Sequence, residues 1–219
     1  MKIQYITRKG TFDSGHRVMN ERMKCFNMHG HTYLYELEFE FNEMEEIGYA
    51  IDFKEIKRVG CQWIDDLLDH GFIVNPKDSE VIKACIATGS KIWFMSLNGN
   101  DQYCNPSVEN IAKEVFLAME VLTNELYGDA KTGLQIYNVK IFETPNCWTD
   151  ANHDSITDTE RDNFYSARLG EIAEYAKAKG VLEQTFNIMN LLYQSNPDSI
   201  SKEWQKFLPF DSTVRSGII

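Results

Sequence analysis

Between His31 and Phe41 the chain alternates strongly. Tyr33, Tyr35, Leu37, Phe39 and Phe41 fall on one face, and Glu36, Glu38 and Glu40 on the other. A period of two marks a strand buried on one side only. It commits the chain to an antiparallel sheet with one face on a core and the other in water. The buried face continues back through His31 and His29. Two imidazoles therefore stand side by side at its end, with only Gly30 between them.

The neighbouring segments supply partners for that strand. Residues 2–8 and 11–17 read as two short strands around a turn at Lys9-Gly10, with Phe12, Ser14 and His16 on a shared face. Leu134–Glu143 reads as another strand, its row Tyr137, Val139, Ile141 closing on an inward Glu143. A buried carboxylate needs a partner or a task. Asp52 has the character of an N-cap. The apolar residues from Phe53 to Leu68 recur at helical spacing, to about Asp69-His70, where Gly71 ends the run. Pro106-Ser107 opens a second helix with the stripe Val108, Ile111, Ala112, Val115, Phe116, Met119, Leu122 and Leu126. Residues 72–105 are mixed, with a strand near Lys91–Leu97 and a turn at Asn98–Asp101. The Asp150–Asp154 segment, with His153, reads as a solvated loop. Thr157 and Glu160 suggest a capping box. Helical stretches then run to Gly180 and on to about Gln194, a turn follows at Ser195–Asp198, and the tail Trp204–Ile219 is irregular. The fold class is α+β, with a domain over 1–150 and a helical extension over 151–219.

Charge and composition narrow the function. With 219 residues, 43% of them hydrophobic, the chain can bury one sizeable core. A net charge of −11 argues against nucleic acid as a partner, because phosphate binding needs a basic surface. The first residues lack the apolar core of a signal peptide, and no apolar run is long enough to span a membrane. Five scattered cysteines with no CxxC fit thiols in a reducing cytoplasm.

Three of the five histidines lie between positions 16 and 31. His29 and His31 from one strand, with His16 from its neighbour, make a three-nitrogen set with a vacant fourth position, as catalytic zinc is held. Cys25 leaves three readings open. It can be a fourth ligand that closes a structural zinc site, a base whose thiolate the metal favours, or a small buried hydrophobe. Asp69-His70 reads either as a helix-end histidine favoured by the dipole or as a histidine with its carboxylate orienter. Glu109 reads as a first-turn acid of the second helix.

The ordered blocks go further. Phe12-Asp13-Ser14-Gly15-His16-Arg17 followed by Cys25-x-x-x-His29-Gly30-His31 resembles the zinc signature of the 6-pyruvoyl-tetrahydropterin synthase family, which includes bacterial 6-carboxy-tetrahydropterin synthases. Ile51-Asp52-Phe53, Leu68-Asp69-His70, Asn105-Pro106-Ser107-Val108-Glu109-Asn110 and Val139–Thr144 resemble further blocks of that family, in the same order. Together they cover residues 10–147.

The resemblance implies a tunnelling fold: a four-stranded antiparallel sheet with two helices on one face, assembled as a homohexamer of two trimers. It implies Zn²⁺ on His16, His29 and His31, and Cys25 as proton acceptor with His70 and Asp69 as its relay. Glu143 anchors the pterin, and Ser107 and Glu109 are set along the pocket. The substrate implied is a pterin triphosphate, 7,8-dihydroneopterin triphosphate. The three-residue gap between Cys25 and His29 is similar to that of the carboxy type, which releases acetaldehyde on the way to 7-deazaguanines such as queuosine. The alternatives are a pyruvoyl-forming synthase that eliminates triphosphate and a non-catalytic, zinc-stabilised binding protein. The family commonly has threonine where Ser107 stands. Residues 72–105 are longer than in compact members, and residues 148–219 have no counterpart in short ones.

Overall fold

The computed structural model describes residues 3–20, 23–128 and 132–195, with side chains through residue 179. Two units are distinguished, Met1–Glu174 and Tyr175–Ile219. The first contains a sheet of six strands in the order β4-β3-β1-β2-β5-β6.

Strand β1 (Gln4–His16) pairs antiparallel along its whole length with β2 (His29–Phe41), Gln4 opposite Phe41 and His16 opposite His29. The expected turn at Lys9-Gly10 is absent. Gly10 lies mid-strand opposite Tyr35, and a Cβ there would run into the Tyr35 ring. Glycine is needed for a close approach, not for a reversal. The alternation of β2 holds, with Tyr33, Tyr35, Leu37, Phe39 and Phe41 all buried. Each such side chain contributes about 1.5–3 kcal/mol of burial, so this row alone fixes the register of the strand.

The helical run after Asp52 is α1 (Phe53–Ile56), a π-helical turn at Lys57–Cys61, and α2 (Gln62–Leu67). Asp52 caps it by accepting from the Lys54 N–H at 2.8 Å. Gly71 does not end the run. His70 takes the left-handed position at φ 54°, and Gly71 already belongs to β3 (Gly71–Val74). A left-handed histidine is held here because its N–H donates to the Asp13 carbonyl at 2.6 Å. Lys91 Nζ donates to the Asp65 and Asp69 carbonyls at the same helix end.

Residues 72–105 contain more structure than the sequence suggests. After β3 come α3 (Ser79–Thr88) and β4 (Lys91–Phe94). β3 pairs parallel with β1 and with β4, so the sheet is mixed where four antiparallel strands were expected. The strands β1, β2, β5 (Gln135–Thr144) and β6 (Cys147–Asn152) pair antiparallel, and β3 and β4 extend the sheet beyond them. Helix α4 (Val108–Tyr127) is capped by Ser107 and buries its apolar stripe against β5 (Gln135–Thr144) and β6 (Cys147–Asn152). β6 and a 3₁₀ turn at His153–Ser155 occupy the segment read as a solvated loop. The β5–β6 ladder, Asn138 opposite Asn152 through Thr144 opposite Cys147, holds that strand in place.

The capping box at Thr157 and Glu160 is present and opens α5 (Asp158–Ser195), one helix where two stretches were expected. The expected turn beyond Ser195 and the irregular tail Trp204–Ile219 lie outside the described residues. No helix among the described residues is long and apolar enough to cross a membrane, and no disulfide joins the five cysteines.

Candidate metal and substrate site

The β1–β2 register brings the three imidazoles together. His16 lies opposite His29, and His31 follows two residues on along the same face. Their ligand atoms all lie within 4.8 Å of one another. His16 Nε2 and His29 Nε2 are 3.1 Å apart. The other nitrogens face carbonyl oxygens: His16 Nδ1 lies 2.7 Å from the Pro106 carbonyl, and His29 Nδ1 lies 2.7 Å from that of Asn27. A carbonyl can only accept, so both rings carry their proton on Nδ1 and present a lone pair at Nε2.

Two such lone pairs at 3.1 Å repel unless a cation lies between them. His31 Nε2 is buried and has no hydrogen-bond partner. Burial lowers the pKa of His16 to about 4, against the pull of the Pro106 carbonyl, and also lowers that of His31. Three converging imidazoles, two of them held at Nδ1 by carbonyls, are the donor set that Zn²⁺ takes.

Glu143 closes the row. Its Oε1 is 3.6 Å from His16 Nε2 and 3.7 Å from His31 Nε2. Tyr33, which the sequence reading placed only in the core, belongs to this neighbourhood as well. Its ring stacks on Phe12 at 4.9 Å between centroids and meets His31 edge-on at 5.5 Å. Burial raises its phenol pKa, and the charges of Glu143 and Cys25 raise it further. Its hydroxyl is buried without a hydrogen-bond partner. The signal was its place two residues past His31 on one strand face. Cys25 is half-buried in the loop between β1 and β2, whose neck is closed by the Val18 N–H donating to the Cys25 carbonyl at 2.8 Å.

Asp69 and His70 form a pair, with 2.6 Å between Asp69 Oδ2 and His70 Nδ1. Asp69 Oδ1 accepts from the Asp13 N–H at 2.7 Å. Burial pushes the Asp69 carboxyl up, but the Asp13 N–H and His70 outweigh it and hold the group below its ordinary range. The pair clusters with the Asp13 side chain, which accepts from Thr32 Oγ1 at 2.5 Å. Asp13 and Thr32 alternate with the residues of the histidine row, so this cluster lies on the other face of the strands. Asp13, Gly15, Gly30, Thr32 and the exposed His70 line an open groove there of about 370 Å³. Ser107 Oγ is engaged as the cap of α4, 3.5 Å from the Asn110 N–H, and Glu109 is exposed in its first turn.

Similarity to known proteins agrees with this geometry. The sequence model of the family described as 6-pyruvoyl tetrahydropterin synthase matches residues 5–154, which include both clusters. The chain is 36% identical over 149 residues to a 6-carboxy-5,6,7,8-tetrahydropterin synthase of Rickettsia felis, covering 66% of this chain and 96% of that protein. It is 26% identical over 151 residues to the protein of that name from Haemophilus influenzae, with the same coverage. A 6-pyruvoyl tetrahydrobiopterin synthase of Dictyostelium discoideum is 29% identical over 93 residues, 38% of this chain and 67% of that protein. Among solved structures, an uncharacterized protein of Wolinella succinogenes superposes with a TM-score of 0.52 at 21% identity, covering 70% of this chain and 99% of that one. With its histidine row, its inward glutamate and the match over residues 5–154, the chain belongs to the 6-pyruvoyl tetrahydropterin synthase family of lyases.

Proposed function

We propose that this protein is a zinc-dependent 6-carboxy-5,6,7,8-tetrahydropterin synthase. With one water, it converts 7,8-dihydroneopterin triphosphate to 6-carboxytetrahydropterin, acetaldehyde and triphosphate in 7-deazaguanine biosynthesis. The observation that carries the reading is the convergence of three imidazole ligand atoms, all within 4.8 Å of one another, at the end of the buried row that closes on Glu143.

His16, His29 and His31 would hold the metal. Bound there, zinc supplies a Lewis acid to the side-chain oxygens of the pterin. Glu143 orients the pterin by accepting from its ring N–H and its amino group, a pairing that suits a two-oxygen acceptor. Cys25 takes a proton from the substrate side chain, and Asp69–His70 passes it on. That pair lies on the other face of the strands from the histidine row, so we assign it to the Cys25 of a second copy in a homohexamer of two trimers. Ser107 and Glu109 stand at the start of α4 as contacts along the pocket. The carboxy product is favoured over the pyruvoyl one by the three-residue gap from Cys25 to His29 and by similarity to the Rickettsia felis protein over nearly its whole length.

A Cys25→Ala variant tests the assignment. It should keep its zinc and its fold while turnover falls by about 100-fold or more, as loss of a general base does. Loss of zinc together with unfolding would instead make Cys25 the fourth ligand of a structural site.

A further inference from the structure

The loop that carries Cys25 is gripped from one side. Met19 sits at the start of that loop, and Asn105 reads its backbone as a paired strand would. Asn105 Oδ1 accepts from the Met19 N–H at 3.0 Å, and its Nδ2 donates to the Met19 carbonyl at 2.9 Å. The remaining capacity of the amide is also used. Nδ2 donates to Tyr103 Oη at 2.9 Å, and Oδ1 accepts from Asn75 Nδ2 at 3.0 Å. Tyr103 Oη in turn donates to the same Met19 carbonyl at 2.6 Å and accepts from Asn20 Nδ2 at 3.3 Å. A second grip lies beside it. Arg17 donates twice to the buried Asp78, at 2.7 and 2.5 Å, and its guanidinium lies 5.1 Å over the Phe26 ring, next to Cys25.

All the gripping residues come from 75–105, the segment that runs from the end of β3 to the start of α4. The same segment leads directly into the metal site. The residue after Asn105 is Pro106, whose carbonyl faces His16 Nδ1 at 2.7 Å, and the carbonyl of Asn105 is itself held by Asn110 Nδ2 at 2.9 Å. One rigid connection therefore sets the loop of Cys25 and the ring of His16 relative to each other.

We infer that residues 75–105 form a positioning clamp, with Asn105 as its hub, that fixes Cys25 against the histidine cluster. Asn105 acts through Met19 and Pro106 and is a positioning residue, not a catalytic one. The inference rests on the proposed role of Cys25 only for its effect on turnover; the grip on the loop stands independently.

The test is alkylation by iodoacetamide at fixed pH, followed peptide by peptide in the protein as purified. It compares wild type, Asn105→Ala and Tyr103→Phe. The cysteines provide internal references, because Cys147 is exposed while Cys61, Cys85 and Cys104 are buried. In Asn105→Ala, Cys25 should react about fivefold faster or more, as expected for a locally opened loop, with Cys147 unchanged and the buried Cys61, outside the clamp, still protected. Tyr103→Phe should give a smaller rise in the same residue, and it carries the test if Asn105→Ala does not fold. Turnover should fall by about tenfold in Asn105→Ala with KM moving less, the pattern of a misplaced catalytic group. Cys25 labelling at the wild-type rate in the folded variants would overturn the clamp. So would a rise shared with Cys61, which lies outside the clamp, since that reports general unfolding. If Cys25→Ala proved fully active, the proposed mechanism would fail while the labelling result would still decide the clamp.

Discussion

Glu143 faces two imidazole nitrogens from 3.6 and 3.7 Å, and its role depends on which neighbour it serves. As the anchor of the pterin it is dispensable for the metal. A Glu143→Gln variant should bind zinc with the wild-type stoichiometry. Its KM should rise about 10- to 100-fold, the size expected when a charge-assisted, two-point hydrogen bond loses one arm. Zinc loss in that variant, measured by elemental analysis, would make Glu143 a ligand instead. The three histidines and Glu143 were legible in the sequence because strand alternation puts them on buried faces. The carbonyls of Pro106 and Asn27, which hold two of the rings, were not. A backbone acceptor carries no side-chain signature, and Pro106 is 90 residues from His16. His70 was legible as a candidate, but its left-handed backbone was not, because the Asp13 carbonyl that holds it comes from another strand. Gly10 was misread for a similar reason: the Tyr35 ring that excludes a side chain lies across the ladder.

At the scale of elements, one buried carboxylate joins α4 to the end of β4. Glu114 accepts from Trp93 Nε1 at 2.9 Å, from the Ser96 N–H and hydroxyl at 2.5 and 2.9 Å, and from the Leu97 N–H at 3.1 Å. Burial pushes its carboxyl above the ordinary range, while the bonds to Ser96 and Trp93 pull the other way. Glu114→Ala leaves these buried donors unmatched and should destabilise the fold by about 3–5 kcal/mol in urea unfolding. A loss below about 1 kcal/mol would show that the pin is not needed. The start of α5 docks on α4 through Lys113–Glu160 at 2.7 Å and through Arg161 and Tyr165, which both donate to Glu120. Burial raises the Glu160 carboxyl, but Lys113 and Thr157 outweigh it and hold it below 4.5. A depressed acid stabilises the fold above its unfolded pKa, and that contribution is lost as pH falls through the folded one. Wild type should therefore exceed Glu160→Gln by about 1 kcal/mol at pH 7 and lose the advantage on acidification through and below the ordinary carboxylate range. An advantage that persisted there would remove the carboxylate from the account.

Long amphipathic elements such as β2, α4 and β5 were legible because many residues repeat one pattern. β3 has four residues and α3 buries only Val81 and Cys85 on its inner side, too few to fix a period; β4 was legible as a strand near Lys91–Leu97, but its parallel pairing with β3 was not. In β6 only Ala151 is buried, so its place is set by pairing with β5, not by its own composition.

For the whole molecule, family membership covers residues 5–154, and the first unit extends further, to Glu174. Its sheet pairs β1, β2, β5 and the unexpected β6 antiparallel, while β3 and β4 add parallel pairing, of which the sequence announced only a strand near Lys91–Leu97. The two faces of the histidine strands carry different groups at one end of the ladder. One face gathers His16, His29, His31 and Glu143, and the other gathers Asp13, Asp69 and His70. A folded chain with both clusters still has to break the right bond. Incubating the zinc-loaded protein with 7,8-dihydroneopterin triphosphate and quantifying acetaldehyde against triphosphate tests this most directly. The account predicts the two in about equal amounts alongside 6-carboxytetrahydropterin, because cleavage of the carbon–carbon bond and loss of triphosphate belong to one turnover. Triphosphate released without acetaldehyde, with a pyruvoyl product in its place, would contradict it.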